Sequence, residues 1–125
     1  MVSHCVVMKP RPSLTAAEQD ALIAAFERAI REIPTVRRVR VGRRIVHGAH
    51  YEARMPDAAD YLVLIDFADL AGLTTYLHHP AHDDIRTHFG QAVSAAFIYD
   101  FEEVTLESLK GTRTPAAPGG GAQKS

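Results

Sequence analysis

The chain has 125 residues, of which 46% are hydrophobic, so it can form one domain with a buried core and has little length for a second. Its 14 basic and 15 acidic residues nearly cancel, which argues against a dedicated nucleic-acid-binding protein. A single cysteine excludes an intramolecular disulfide and a cysteine zinc cage, and no apolar run reaches the ~18 residues that a membrane span needs. No signal-peptide pattern opens the chain, so we expect a cytoplasmic protein.

The first part of the chain predicts a strand followed by an amphipathic helix. Residues 2–9 are β-branched and apolar, and the prolines that follow them stop the strand. Thr15 and Glu18 have the spacing of a capping box, in which each side chain bonds the backbone amide of the other. Apolar residues then recur at helical spacing until Pro34, which predicts a helix over residues 16–33.

The rest of the domain predicts three further strands and two helices. The strands are expected at residues 36–46, 60–67 and 97–104, and a long loop over residues 47–59 joins the first two. Asp69 can cap a helix that Pro80 interrupts, and Pro80 suits the first position of the next helix. The apolar stripe of that second helix is expected to continue through Val93 and Ala96.

The order βαββαβ predicts an α+β, ferredoxin-like domain with an antiparallel four-stranded sheet over residues 1–110. We expect strands 2–9 and 60–67 to form its central pair and to run parallel to each other. The arginine-rich strand is expected at an edge, where its charges are solvated and discourage further pairing. Helices on one side leave the other sheet face bare, which predicts a homodimer closed into an α/β barrel. Residues 111–125 are rich in Gly and Pro and predict a disordered tail.

The densest polar segment runs from Tyr76 to Asp83 and holds three of the seven histidines. His79 and His82 are three residues apart and can share a helix face, but no third ligand at a convincing offset supports a metal site. A neutral imidazole suits acid–base work near neutral pH when a partner fixes its tautomer. Asp100, in the last strand, can be that partner for His82, either for catalysis or as a structural hydrogen bond between helix and strand.

A histidine also interrupts the first strand. Alternation along a strand puts His4 and its neighbour Cys5 on opposite faces of the sheet. If the face that carries His4 lines the interior of the dimer, His4 lies in a cavity there. Cys5 would then lie against the helices as an inert buried thiol.

Three stretches together resemble the stress-responsive A/B barrel, or Dabb, family of dimeric α/β-barrel proteins. They are His4 with the apolar strand around it, the phrase FADLAGLTTYLHHPAH over residues 67–82, and the closing FIYDF over residues 97–101. The likeness extends over residues 2–104. It implies the ferredoxin-like fold and the dimer that the pattern of elements also predicts.

A plant branch of this family is a polyketide cyclase that acts by aldol condensation. The resemblance implies that Tyr76 and His82 do the chemistry, with His4 lining the pocket and Asp100 supporting His82. Tyr61 stands where that branch carries a pocket histidine, so the substrate of the plant enzyme is not implied.

We therefore expect a small acid–base enzyme, without cofactor or metal, that acts on an apolar carbonyl compound as a cyclase, lyase or isomerase. His82 would remove a proton next to the carbonyl, Asp100 would hold its tautomer, and Tyr76 would donate a hydrogen bond to the enolate oxygen. The expected substrate-binding residues are His4, Tyr61 and His79. The alternatives are a non-catalytic barrel that binds a small apolar ligand or persists as a stable dimer, and a haem-handling or monooxygenase relative.

Overall fold

The computed structural model describes residues 1–111 of the chain. Its strands and helices are β1 (Val2–Pro10), α1 (Ala16–Glu32), β2 (Val36–Arg43), β3 (Tyr61–Phe67), α2 (Leu70–His78), α3 (Pro80–Ala92) and β4 (Val93–Glu102). Short 3-10 turns lie at His50–Arg54 and Glu107–Leu109. The predicted tail falls outside the described residues except for Gly111. In this part of the chain, every helix is too short or too polar to cross a membrane.

The sheet has the order β2-β3-β1-β4, and every neighbouring pair of strands is antiparallel. This is the predicted ferredoxin-like α+β fold, with β1 and β3 at the centre and the arginine-rich β2 at an edge. The prediction that the central pair runs parallel is wrong. The α1 crossover makes β2 parallel to β1, and the turn from β2 into β3 then sets β3 antiparallel to both.

The capping box predicted for α1 is present and fixes the point where the helix begins. The Glu18 backbone N–H donates to Thr15 Oγ1 at 3.1 Å, and the Thr15 backbone N–H donates to Glu18 Oε1 at 2.9 Å. The bond from the Thr15 N–H holds the pKa of Glu18 below its usual value because it stabilises the carboxylate. At the other end, the Ile33 N–H donates to the Ala29 carbonyl at 2.9 Å, and the chain leaves the helix.

We expect Thr15→Ala to lower the free energy of unfolding by about 1 kcal/mol, because the Glu18 N–H loses its acceptor. Urea denaturation of the purified chain measures the change. Thr87→Ala is the matched control, since Thr87 is exposed and its hydroxyl donates back to the Asp83 carbonyl within α3. Equal losses in the two variants would contradict the capping argument.

The last strand begins at Val93, well before the predicted start at residue 97, and this corrects the predicted length of the preceding helix. Val93 is extended, with φ −110° and ψ 145°, and its N–H caps α3 by donating to the Phe89 carbonyl. Ala96 pairs opposite Met8 of β1 instead of continuing a helical stripe. Apolar side chains at positions 93 and 96 are compatible with a helix and with a strand. Pairing along the full length of β1 favours the strand.

The core lies between one face of the sheet and the three helices. On that face β1 contributes His4, Val6 and Met8, which are all buried, while β3 contributes Ile65 and Phe67. The position predicted for His4, inside a dimer, is therefore wrong, because its side chain lies on the helix side. Both faces of β1 are apolar enough for a core, so alternation alone does not tell which face the helices cover.

The opposite face of the sheet carries no helix and is rich in aromatic side chains. On β4, Phe97, Tyr99 and Phe101 are 45%, 57% and 55% exposed. Cys5 pairs opposite Leu64 and Tyr99 and belongs to this bare face, so the prediction that it lies against the helices is also wrong. An exposed apolar face of this kind is typical of an interaction surface.

Candidate functional site

Four of the predicted site residues gather at one end of the core and form what we call the imidazole–tyrosine cluster: His4, Tyr76, His82 and Asp100. The Tyr76 ring lies between the two imidazoles, with its centroid 4.9 Å from that of His82 and 5.7 Å from that of His4. Tyr76 is only 1% exposed and also contacts Phe67. Residues of β1 and α3 thus flank one buried phenol of α2, and Asp100 of β4 joins them through His4.

Asp100 is the partner of His4 and not of His82, which corrects the predicted pairing. The two residues are directly opposite on β1 and β4, and His4 Nδ1 lies 2.6 Å from Asp100 Oδ1. An ionised carboxylate there keeps the proton on Nδ1, which leaves Nε2 of His4 as a proton acceptor. The Asp100 side chain is 43% exposed, so this carboxylate also meets solvent.

His82 is the imidazole without a hydrogen-bonded partner in this cluster. Its Nδ1 atom is buried and bonds to no polar atom of the described residues. Burial lowers the pKa of His82 from its usual 6.5, and the positive charge of Arg86 acts in the same direction. The imidazole is therefore held in its neutral form, which can accept a proton.

The hydroxyl of Tyr76 is held in its protonated form. Burial raises the pKa of this phenol well above its usual 10.0, since a phenolate would be poorly solvated in the core. A neutral phenol next to a neutral imidazole is a hydrogen-bond donor beside a proton acceptor. The pair can therefore remove a proton and stabilise the negative charge that results.

The lowered pKa of His82 predicts a pH dependence of stability. The unfolded chain, with a pKa near 6.5, takes up the proton before the folded chain does, so the free energy of unfolding should fall as pH drops from 7 toward 5. Urea denaturation of the wild type and of His82→Gln at pH 7 and 5.5 measures the contribution. The loss should be smaller in the variant, and equal losses would contradict the lowered pKa.

The remaining histidines of the motif have structural positions. His79 Nδ1 accepts from the Ala81 N–H at 3.0 Å and caps α3, with Pro80 in the predicted first position. His79 was expected to bind substrate, and that stays a prediction; its Nδ1 is used at the helix end. His78 is exposed and its Nδ1 lies 2.9 Å from the Thr74 carbonyl, as expected for a residue that faces solvent.

Tyr61, the sixth predicted residue, lies away from the cluster and lines a separate apolar cavity. This cavity has a volume of about 490 Å³ and lies between α1 and the sheet. None of the four cluster residues lines this cavity. Met8 of β1 does line it, and Met8 is four residues from His4, which is about 13 Å along a strand at ~3.3 Å per residue. The predicted substrate-binding residues His4 and Tyr61 therefore belong to two separate features on one side of the sheet.

The cavity walls include residues that the sequence reasoning did not single out. Several are apolar yet exposed, notably Ile23, Ile30 and Val41, at 49%, 38% and 76%. Apolar side chains that stay partly exposed on two facing elements indicate a gap between those elements. The gap between α1 and β2 can be recognised only when the relative positions of the two elements are known.

No group of three or more metal-ligating side chains comes together within residues 1–111. His79 and His82, the pair considered for a metal, are instead a helix cap and a member of the cluster.

Solved structures with this fold come from plants and bacteria. A protein from Arabidopsis thaliana is 14% identical with a TM-score of 0.70, covering 85% of this chain and 98% of that one. The hydroxynitrile lyase of Passiflora edulis is 15% identical with a TM-score of 0.67, covering 80% and 90%. A dimeric ferredoxin-like protein from Thermobifida fusca is 17% identical with a TM-score of 0.63, covering 80% and 88%.

These likenesses define the class of the molecule, a small α+β protein with the ferredoxin-like fold. The model of the stress-responsive A/B barrel domain, Dabb, matches residues 2–103. The chain therefore belongs to the Dabb family, as its motifs suggested. A search of the curated proteins found no match.

Proposed function

We propose that this Dabb protein is a cofactor-independent acid–base enzyme that acts on an apolar carbonyl compound as a lyase, cyclase or isomerase. The observation that carries the proposal is the neutral His82 imidazole, with a buried and unpartnered Nδ1, against the buried hydroxyl-bearing ring of Tyr76. A buried polar atom without a partner costs stability, and active sites are where such costs are commonly found.

In this mechanism His82 removes a proton from the carbon next to the carbonyl. The C–H electron pair moves into the enolate, and Tyr76 donates a hydrogen bond to the oxygen that gains the charge. His4, oriented by Asp100, lies on the other side of Tyr76 and offers its Nε2 to a second polar group of the substrate. The Passiflora edulis relative is a lyase, which supports this reaction class for the fold.

The chemistry can be tested without knowing the natural substrate. The full chain is incubated in D₂O with a panel of apolar ketones and β-polyketones, and NMR follows deuterium uptake at the carbon next to the carbonyl. The proposal expects faster uptake with the wild type than with His82→Ala. Equal rates for the two proteins on a compound that the wild type turns over would refute the role of His82.

We also infer that two copies pair through the bare sheet face. The support is the exposed row of Phe97, Tyr99 and Phe101, together with the dimeric state of the Thermobifida fusca relative. Pairing would remove these rings from water, where each exposed Å² of apolar surface costs roughly 25 cal/mol.

A second candidate function is the binding of a small apolar ligand without chemistry. It is favoured by the cavity of about 490 Å³, which is within the usual range of ligand pockets and has mostly apolar walls. The deuterium-uptake experiment separates the candidates, since a binding protein accelerates no exchange.

A further inference from the structure

Two cavities meet at the end of the β2–β3 pair. The apolar cavity between α1 and the sheet adjoins a second cavity of about 510 Å³ that is lined largely by charged residues of the β2–β3 loop. Arg43 and Tyr61 line both. They are paired across β2 and β3, so their side chains lie next to each other on the helix side of the sheet.

Arg43 differs from the cations around it because no carboxylate of residues 1–111 pairs with it. Lys9 Nζ lies 3.0 Å from Asp57 Oδ1, and Arg44 Nη1 lies 3.7 Å from the same oxygen. Arg43 forms no ion pair with any residue in the part of the chain that the structure describes. A guanidinium that is unpaired within the described part of the chain thus lines both cavities.

We propose that the apolar cavity binds a molecule with an apolar body and a single carboxylate, which pairs with Arg43. A guanidinium has donors arranged to meet both oxygens of a carboxylate, and the Tyr61 hydroxyl is a further donor next to it. The inference rests on the proposed ligand-binding function of this cavity and adds the class of ligand.

Glu27, on α1, is the other charged residue of the apolar cavity and limits which ligands fit. It is not ion-paired with Arg43. A ligand with a second anionic group near Glu27 would be repelled, while a single carboxylate at Arg43 leaves only apolar atoms inside. The cavity should therefore select a monoanion.

Calorimetric titration of the full chain with octanoate and with octan-1-ol tests the proposal, because the two probes share a tail and differ in the carboxylate. Wild type should bind octanoate more tightly. Arg43→Met should weaken octanoate about threefold to fivefold, a modest effect because the side chain is exposed, and should leave octan-1-ol unchanged. Arg43→Lys should retain most of the octanoate affinity. Arg54→Met is the matched control, since Arg54 is exposed and lines neither cavity.

The outcomes separate this inference from the proposal beneath it. If neither probe binds, the ligand-binding function of the cavity is wrong, and this inference falls with it. If both bind equally, or if Arg43→Met and Arg54→Met have the same effect, the cavity binds apolar molecules but Arg43 does not select a carboxylate. A preference for octanoate that Arg43→Met abolishes supports the inference.

Discussion

His82→Ala is expected to reduce turnover on a confirmed carbonyl substrate by at least about 100-fold, the lower end of what a positioned general base contributes. The substitution removes the only imidazole of the cluster whose Nδ1 is buried and unpartnered among the described residues. Steady-state kinetics with the compound found in the deuterium-uptake screen measures the loss. His78→Ala is the matched control, and we expect it to be nearly neutral because His78 faces solvent.

The same kinetics distinguish the two imidazoles. Asp100→Asn should weaken turnover less than His82→Ala does, since Asp100 contacts His4 and acts through it. In a His4→Ala background, Asp100→Asn should have no further effect, because its partner is already gone. An unchanged rate in His82→Ala would move the catalytic role to His4 or leave the cluster structural.

Light scattering of the wild type at micromolar concentration should give about twice the chain mass of 13.7 kDa. Tyr99→Glu should give a monomer. A two-fold interface contains the substituted residue of both copies, so the dimer would have to bury two new charges. The residue lies on the bare face, away from the core, so each copy should stay folded.

Leu70→Glu is the matched control for assembly. Leu70 is 66% exposed, which is comparable to Tyr99, but it lies in the first turn of α2, where an acidic side chain is tolerated. This variant should remain a dimer. A monomeric wild type would refute pairing through the sheet. Loss of the dimer in both variants would show that the effect of Tyr99→Glu is not specific to the bare sheet face.

Most of the fold prediction rested on patterns among residues that are close together in the sequence. The Thr15–Glu18 capping box and the break at Pro80 were readable because each depends on residues a few positions apart, and the structure has both. The start of β4 was not readable, since it depends on pairing with β1 at the other end of the chain. Errors therefore concentrate where tertiary pairing overrides the local pattern.

The sequence predicted which residues form the cluster, but it did not predict which of them contact each other. His4, Tyr76, His82 and Asp100 do come together, yet the partner of Asp100 was misassigned. The strand register puts His4 and Asp100 opposite each other, and no spacing along the chain encodes that register. Arg43 was treated as one of several solvated arginines, because its position beside a cavity depends on how α1 packs over β2.

The alternation along β1 gives adjacent residues different surroundings. His4 points into the cluster, while the next residue, Cys5, belongs to the bare face on the other side of the sheet. A substitution at position 5 can therefore alter the outer surface without changing the contacts of His4. A substitution at position 4 can alter the cluster without changing the outer surface.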